Sequence, residues 1–90
     1  MISNKQIIID VREPFEYSDG HVVGAINVPS GDLLDDKVIE ELRKKYDDTE
    51  IILYCRTGAR AGRCQKILKD AGFINVKNGI NQQTVEQTQG

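Results

Sequence analysis

The chain has 90 residues, of which 39% are hydrophobic and 29% charged, and its formal net charge is −2. That length holds one domain, the composition is that of a folded chain, and the near-neutral balance excludes a bulk affinity for nucleic acid or for an anionic membrane. No run approaches the ~20 apolar residues of a membrane-spanning helix. No basic-then-apolar leader opens at Met1.

The elements follow in chain order. Ile7 to Val11 is a β-branched apolar run, read as a strand buried on both faces. Glu13 to Tyr17 forms a short helical turn with Pro14 near its start. Asp19-Gly20 marks a turn, and Ala25 to Val28 is a second strand, ended by Pro29. Ser30 and Asp32 are candidate N-caps of a short helix. Residues 37 to 46 are helical, with Ile39, Leu42 and Tyr46 on one face and charged residues on the other. Ile51 to Tyr54 is a third strand, and Cys55 to Gly58 is the loop at its end. A second long helix runs from Ala59 or Arg60 to Ala71, with Gly72 as its left-handed stop. Phe73 to Val76 reads as a fourth strand, followed by a turn at Asn78-Gly79. Residues 1–80 form the domain; the Gln- and Thr-rich residues 81–90 are a C-terminal helix or loosely held tail of the same unit.

Alternating strands and helices predict an α/β fold: a small, mostly parallel sheet of four to five strands with helices on both faces. Ligands of such sheets bind beyond the carboxyl ends of the strands, which is where Cys55 falls. The segment Cys55-Arg56-Thr57-Gly58-Ala59-Arg60 then has a chemical logic. A free thiol titrates near ~8.5, so little is thiolate at neutral pH. Two arginines and a helix N-terminus favour the charged form. Gly58 allows a tight turn whose successive N–H groups face inward as an anion nest. Arg56 and Arg60 can hold an anionic substrate by paired hydrogen bonds. Cys55 is therefore the candidate nucleophile, with Arg56, Thr57, Gly58, Ala59 and Arg60 as its substrate-binding loop.

Other reactive residues read as structural. Cys64 lies on the apolar stripe of the following helix and reads as a small core residue rather than a resolving thiol. His21, the lone histidine, reads as a turn residue rather than a base for Cys55. One histidine and two separated cysteines do not make a metal site. Two cysteines are also too few for a disulfide framework, so reduced thiols in a cytoplasmic setting are the expectation.

Two motifs resemble the rhodanese family. The first is Asp10-Val11-Arg12-Glu13 with Phe15-Glu16-Tyr17 and Gly20 to Pro29; the second is Cys55 to Ala61. The resemblance covers residues 7 to about 80. It implies a single-domain, rhodanese-like three-layer fold and a thiosulfate sulfurtransferase working through a persulfide on Cys55, without metal or organic cofactor. It implies that the amides of residues 56 to 60 cradle the persulfide, that Arg56 and Arg60 bind thiosulfate-like anions, and that Asp10 and Arg12 form a structural charged pair near the site. The implied partners are a sulfur donor, thiosulfate or a persulfide, and a cyanide or thiol acceptor, including a transient thiol-carrying protein. The chain departs from the family at Val76 to Ile80, where a Gly-Gly pair and a tryptophan are usual and neither occurs. Two alternatives compete. One is a non-catalytic rhodanese-like binding module. The other is phosphatase or arsenate-reductase chemistry, disfavoured because only four residues separate Cys55 from Arg60 where that chemistry uses five.

Overall fold

A computed structural model describes residues 5–89. The opening segment that carries the leader expectation, residues 1–4, lies outside the described residues, as does Gly90.

Isoleucine-rich runs form the centre of the sheet. The strands are β1 (Gln6–Asp10), β2 (Ile26–Asn27), β3 (Glu50–Cys55) and β4 (Val76–Asn81). They pair in parallel in the order β2-β1-β3-β4. Alternate residues point to opposite faces, and the two faces have separate cores. Ile9, Val11, Ile51, Leu53 and Cys55 pack against α2 (Asp36–Tyr46) and α3 (Ala59–Asp70) through Ile39, Leu42, Ala61, Cys64 and Leu68. Ile8, Ile52 and Tyr54 pack on the other side against Val22, Ala25 and Val85, the last from α4 (Gln82–Gln89). The fold is thus the small three-layer α/β sandwich expected, with four strands.

Local chemistry explains the helix ends. Helix α1 (Pro14–Ser18) opens on proline, whose missing N–H has no role at that position. Neither Ser30 nor Asp32 acts as the expected cap: both lie inside a 3-10 helix (Ser30–Leu34), and Asp35 caps α2 by accepting from the Lys37 N–H at 2.9 Å. Gly72 takes the left-handed conformation expected of a helix stop, φ +100°. The Phe73 N–H closes the turn on the Leu68 carbonyl at 3.0 Å.

The fourth strand lies later than the apolar pattern predicts. Phe73 folds back into the core beside α3, and Ile74 is 92% exposed. Pairing begins only at Val76, opposite Ile51. The expected turn at Asn78-Gly79 is a bulge within β4: Leu53 faces Asn78, Tyr54 faces Ile80, and Gly79 is the extra residue. A Cβ at Gly79 would stand 2.6 Å from Val85 Cγ2 and 3.2 Å from the Leu53 carbonyl oxygen, so any side chain there would push its neighbours aside. Strand pairing with β3, not local turn propensity, decides this segment.

The strand order switches between β1 and β3, since β1 leads outward to β2 and the chain returns on the far side of β1 to lay down the parallel strand β3. The crevice at the carboxyl ends of these two strands is the usual ligand position in parallel sheets. Asp10 and Tyr54 are register partners there, and Cys55 follows at once.

Candidate active site

Cys55 is the last residue of β3, and its side chain turns into the N-terminal turn of α3. Gly58 caps that helix with φ +92°, a conformation that glycine adopts without steric cost. The Gly58 N–H donates to Sγ at 3.1 Å and the Ala61 N–H at 3.4 Å. Cys55 is only 2% exposed. Burial pushes the thiol up, but the backbone amides of Ala61, Thr57, Gly58 and Arg60 more than offset it, and the net effect holds the thiol below its ordinary value. The aligned amides at a helix N-terminus are the physical source of that stabilisation.

The two arginines of the loop have different surroundings. Arg56 is exposed. With Arg12, Phe15, Glu16 and Asp19 it lines a cleft of about 420 Å³. Arg60 is held by Glu16, with Nη1 at 2.9 Å from Oε1 and Nη2 at 3.3 Å from Oε2. This pair ties α3 to α1. The Arg60 hydrogen bond, with that of the Glu13 N–H, lowers the Glu16 carboxyl to about 2. A larger hollow of about 550 Å³, between the 3-10 helix, α2 and α3, includes no residue of the Cys55 loop. It sits apart from the thiol chemistry.

Asp10 and Arg12 form an ion pair at the carboxyl end of β1. The fully buried Asp10 carboxylate accepts from Arg12 Nε at 2.9 and 3.0 Å, from Nη2 at 2.7 Å and from the Arg12 N–H at 2.9 Å. Arg12 also donates to the Gly20 carbonyl at 2.7 Å. The Tyr54 hydroxyl extends the network, donating to Asp10 Oδ2 at 3.0 Å and accepting from the Val22 N–H at 3.1 Å. Burial, first, pushes the Tyr54 phenol up to about 12. His21 stacks on Tyr17 at 3.6 Å between ring centroids, and its Nδ1–H donates to the Tyr17 carbonyl at 2.8 Å. Cys64 is buried on α3, and burial, followed by the nearby Cys55, pushes its thiol up to about 11. Among the described residues there is no cluster of three or more metal-ligating side chains.

Glu16 and Tyr54 lie outside the residues that the local sequence pattern marks as a site. The signal for Glu16 was an acid three residues after Glu13 at a helix start, the spacing that lets a side chain reach back to the cap N–H. Tyr54 carried no signal, because its position in an apolar strand looks like packing alone.

A parallel sheet with a cysteine at its switch point, ringed by the amides of a helix N-terminus, defines a class of thiol-bearing α/β domain. Residues 1–82 match the family described as Rhodanese-like domain, and the chain belongs to that family. The uncharacterized protein YqhL of Bacillus subtilis is 38% identical over 74 residues, which are 82% of this chain and 55% of that protein. Thiosulfate sulfurtransferase PspE of Escherichia coli is 34% identical over 70 residues, 78% of this chain and 64% of that protein. The chain therefore spans less than two thirds of either relative. A solved structure of a rhodanese with anions from E. coli superposes with a TM-score of 0.73 at 29% identity, covering 88% of this chain and 89% of the other.

Proposed function

We propose that the chain is a sulfurtransferase that carries sulfane sulfur as a persulfide on Cys55. The observation that carries this reading is the amide ring around a buried Cys55 sulfur, with Gly58 and Ala61 donating to it. In the first half-reaction the thiolate attacks the outer sulfur of thiosulfate. The S–S bond breaks, sulfite leaves with the electron pair, and Cys55 holds the persulfide. A persulfide donor reacts in the same way and releases its thiol. In the second half-reaction an acceptor, cyanide or a thiolate, attacks the outer sulfur and releases the Cys55 thiolate. The cradle stabilises the anionic sulfur at both steps, and the scheme predicts ping-pong kinetics.

Arg56, exposed at the cleft with Arg12, is the cation that draws the anionic donor in. Arg60 acts through Glu16, securing α3 against α1 so that residues 56 to 60 keep their curvature. Thr57, Gly58 and Ala59 contribute backbone amides. Asp10 and Arg12 hold the carboxyl edge of β1 and take no part in sulfur chemistry. Residues 81–90 belong to the same unit as residues 1–80, which the burial of Val85 against Ile52 and Tyr54 supports. A reducing compartment such as the cytoplasm suits this chemistry, because it keeps the two free cysteines as thiols.

The test is the intact mass before and after thiosulfate, with turnover to cyanide measured in parallel. The expected result is a gain of one sulfur atom, lost on adding acceptor and absent from Cys55→Ser. Full turnover by Cys55→Ser would sink the reading. A wild-type chain that gains no sulfur would point instead to a binding module.

A further inference from the structure

The amide ring around Cys55 is braced from outside its own loop. Gly58 donates its N–H to the sulfur at 3.1 Å. Its carbonyl accepts twice, from the Gly62 N–H at 2.8 Å and from Asn78 Nδ2 at 3.1 Å. The first bond is the opening bond of α3. The second comes from β4, at the bulge. Asn78 is itself held at its other end, where Oδ1 accepts from the Ile80 N–H at 2.9 Å. Ile80 has φ +72°, the one non-glycine residue with positive φ among those described. That conformation is costly for a β-branched side chain, and the Asn78 acceptor helps to hold it.

The approach depends on missing side chains. A Cβ on Gly62 would lie 3.3 Å from Asn78 Nδ2, and a Cβ on Gly58 would lie 3.7 Å from the same atom and 3.3 Å from Ile80 Cγ2. Two glycines on the loop side thus leave the space that the side-chain amide occupies. Without the brace, Gly58 is the residue best able to rotate, because it lacks a Cβ. Rotation would tilt its N–H off the sulfur, and such bonds weaken steeply with angle.

We propose that Asn78 is a positioning residue that holds the Gly58 carbonyl from the β4 side and so keeps the Gly58 amide aimed at the Cys55 sulfur. The inference rests on Cys55 being the nucleophile. It gives a task to the segment where the chain departs from the usual Gly-Gly pattern.

The test is the pH dependence of iodoacetamide alkylation at Cys55, followed by mass spectrometry, which does not require turnover. Asn78→Ala removes both bonds of the side chain. Asn78→Asp keeps the acceptor for Ile80 and removes the donor to Gly58. Both variants are expected to move the alkylation midpoint to higher pH and to slow alkylation at neutral pH by about threefold to tenfold, the weakening and not the full loss of one hydrogen bond to a charged sulfur. For Asn78→Asp the shift should persist in high salt, which screens its added charge. Arg60 and Cys64, the titratable groups on α3 that sense Cys55, are unchanged in both. Val76→Ala, which hollows the core at the same strand, should lower thermal stability and leave the midpoint alone. If the Asn78 variants lose stability but keep the wild-type midpoint, Asn78 is only architectural and the proposal fails. Turnover by Cys55→Ser is a separate result, and it would instead remove the nucleophile reading.

Discussion

Replacing Tyr54 with phenylalanine isolates the hydroxyl that joins β1, β3 and the Val22 segment. The ring stays fully buried and keeps nearly its whole volume, so the hydrophobic term barely changes. Two hydrogen bonds are lost, and they are unequal. Asp10 Oδ2 still accepts from Arg12 Nη2 at 2.7 Å, so the carboxylate remains paired. The Val22 N–H, whose bond is to the Tyr54 oxygen at 3.1 Å, is left inside without that acceptor. An orphaned buried donor costs about 1–3 kcal/mol. At about 2 kcal/mol, a domain of this size should melt roughly 10 °C lower. Asp10→Asn should cost more, about 3–5 kcal/mol, because it leaves the Arg12 guanidinium without its counter-charge. The assay is thermal and urea unfolding by circular dichroism at pH 7. A Tyr54→Phe midpoint within about 2 °C of the wild type, or one lower than that of Asp10→Asn, would refute the assignment of this network as the anchor of the sheet edge.

Glu16 makes stability depend on acid. Its folded value of about 2 lies below the ordinary carboxyl value, so its contribution is present above the unfolded value and is lost as pH falls through the window down to about 2. Glu16→Gln should flatten the acid limb of a stability–pH curve measured by urea denaturation; an unchanged limb counts against the Arg60 pair. The two thiols should differ in reactivity, since Cys55 is lowered and Cys64 is raised to about 11. Limited alkylation at neutral pH, mapped by peptide mass, should label Cys55 well before Cys64, and equal labelling would contradict the cradle. Gly79→Ala should destabilise by about 1–3 kcal/mol through overpacking against Val85 and Ile52. Chemical denaturation that finds it neutral would mean that the bulge relaxes freely.

Much of the fold was legible in the chain. The runs at Ile7 to Val11 and Ile51 to Tyr54 are apolar on both faces, and only a strand covered on both sides buries them fully. The helix stop at Gly72 was readable because a positive φ there suits glycine. The fourth strand was not, since Phe73 and Ile74 look like strand residues while Asn78-Gly79 looks like a turn. Their conformations answer to β3 and Val85, which lie far away in sequence.

The candidate site divides in the same way. A cysteine, a glycine and two arginines at a strand-to-helix junction mark a candidate anion-binding thiol loop by local chemistry alone, because the amides that face the sulfur come from the next six residues. The fate of each charge was not local. Arg60 and Arg56 are alike in the sequence, yet α1 brings Glu16 onto Arg60 and leaves Arg56 at the cleft. Tyr54 joins the Asp10 network because strand register sets it opposite Asp10. Asn78 reaches Gly58 because a bulge carries β4 past the loop. The sequence by itself determined the candidate nucleophile and its amide cradle, since hydrogen bonds within a few residues need only local geometry. Only the tertiary structure decided which side chains brace that cradle and which stay free, because those partners stand 20 or more residues away and meet only when the sheet has packed.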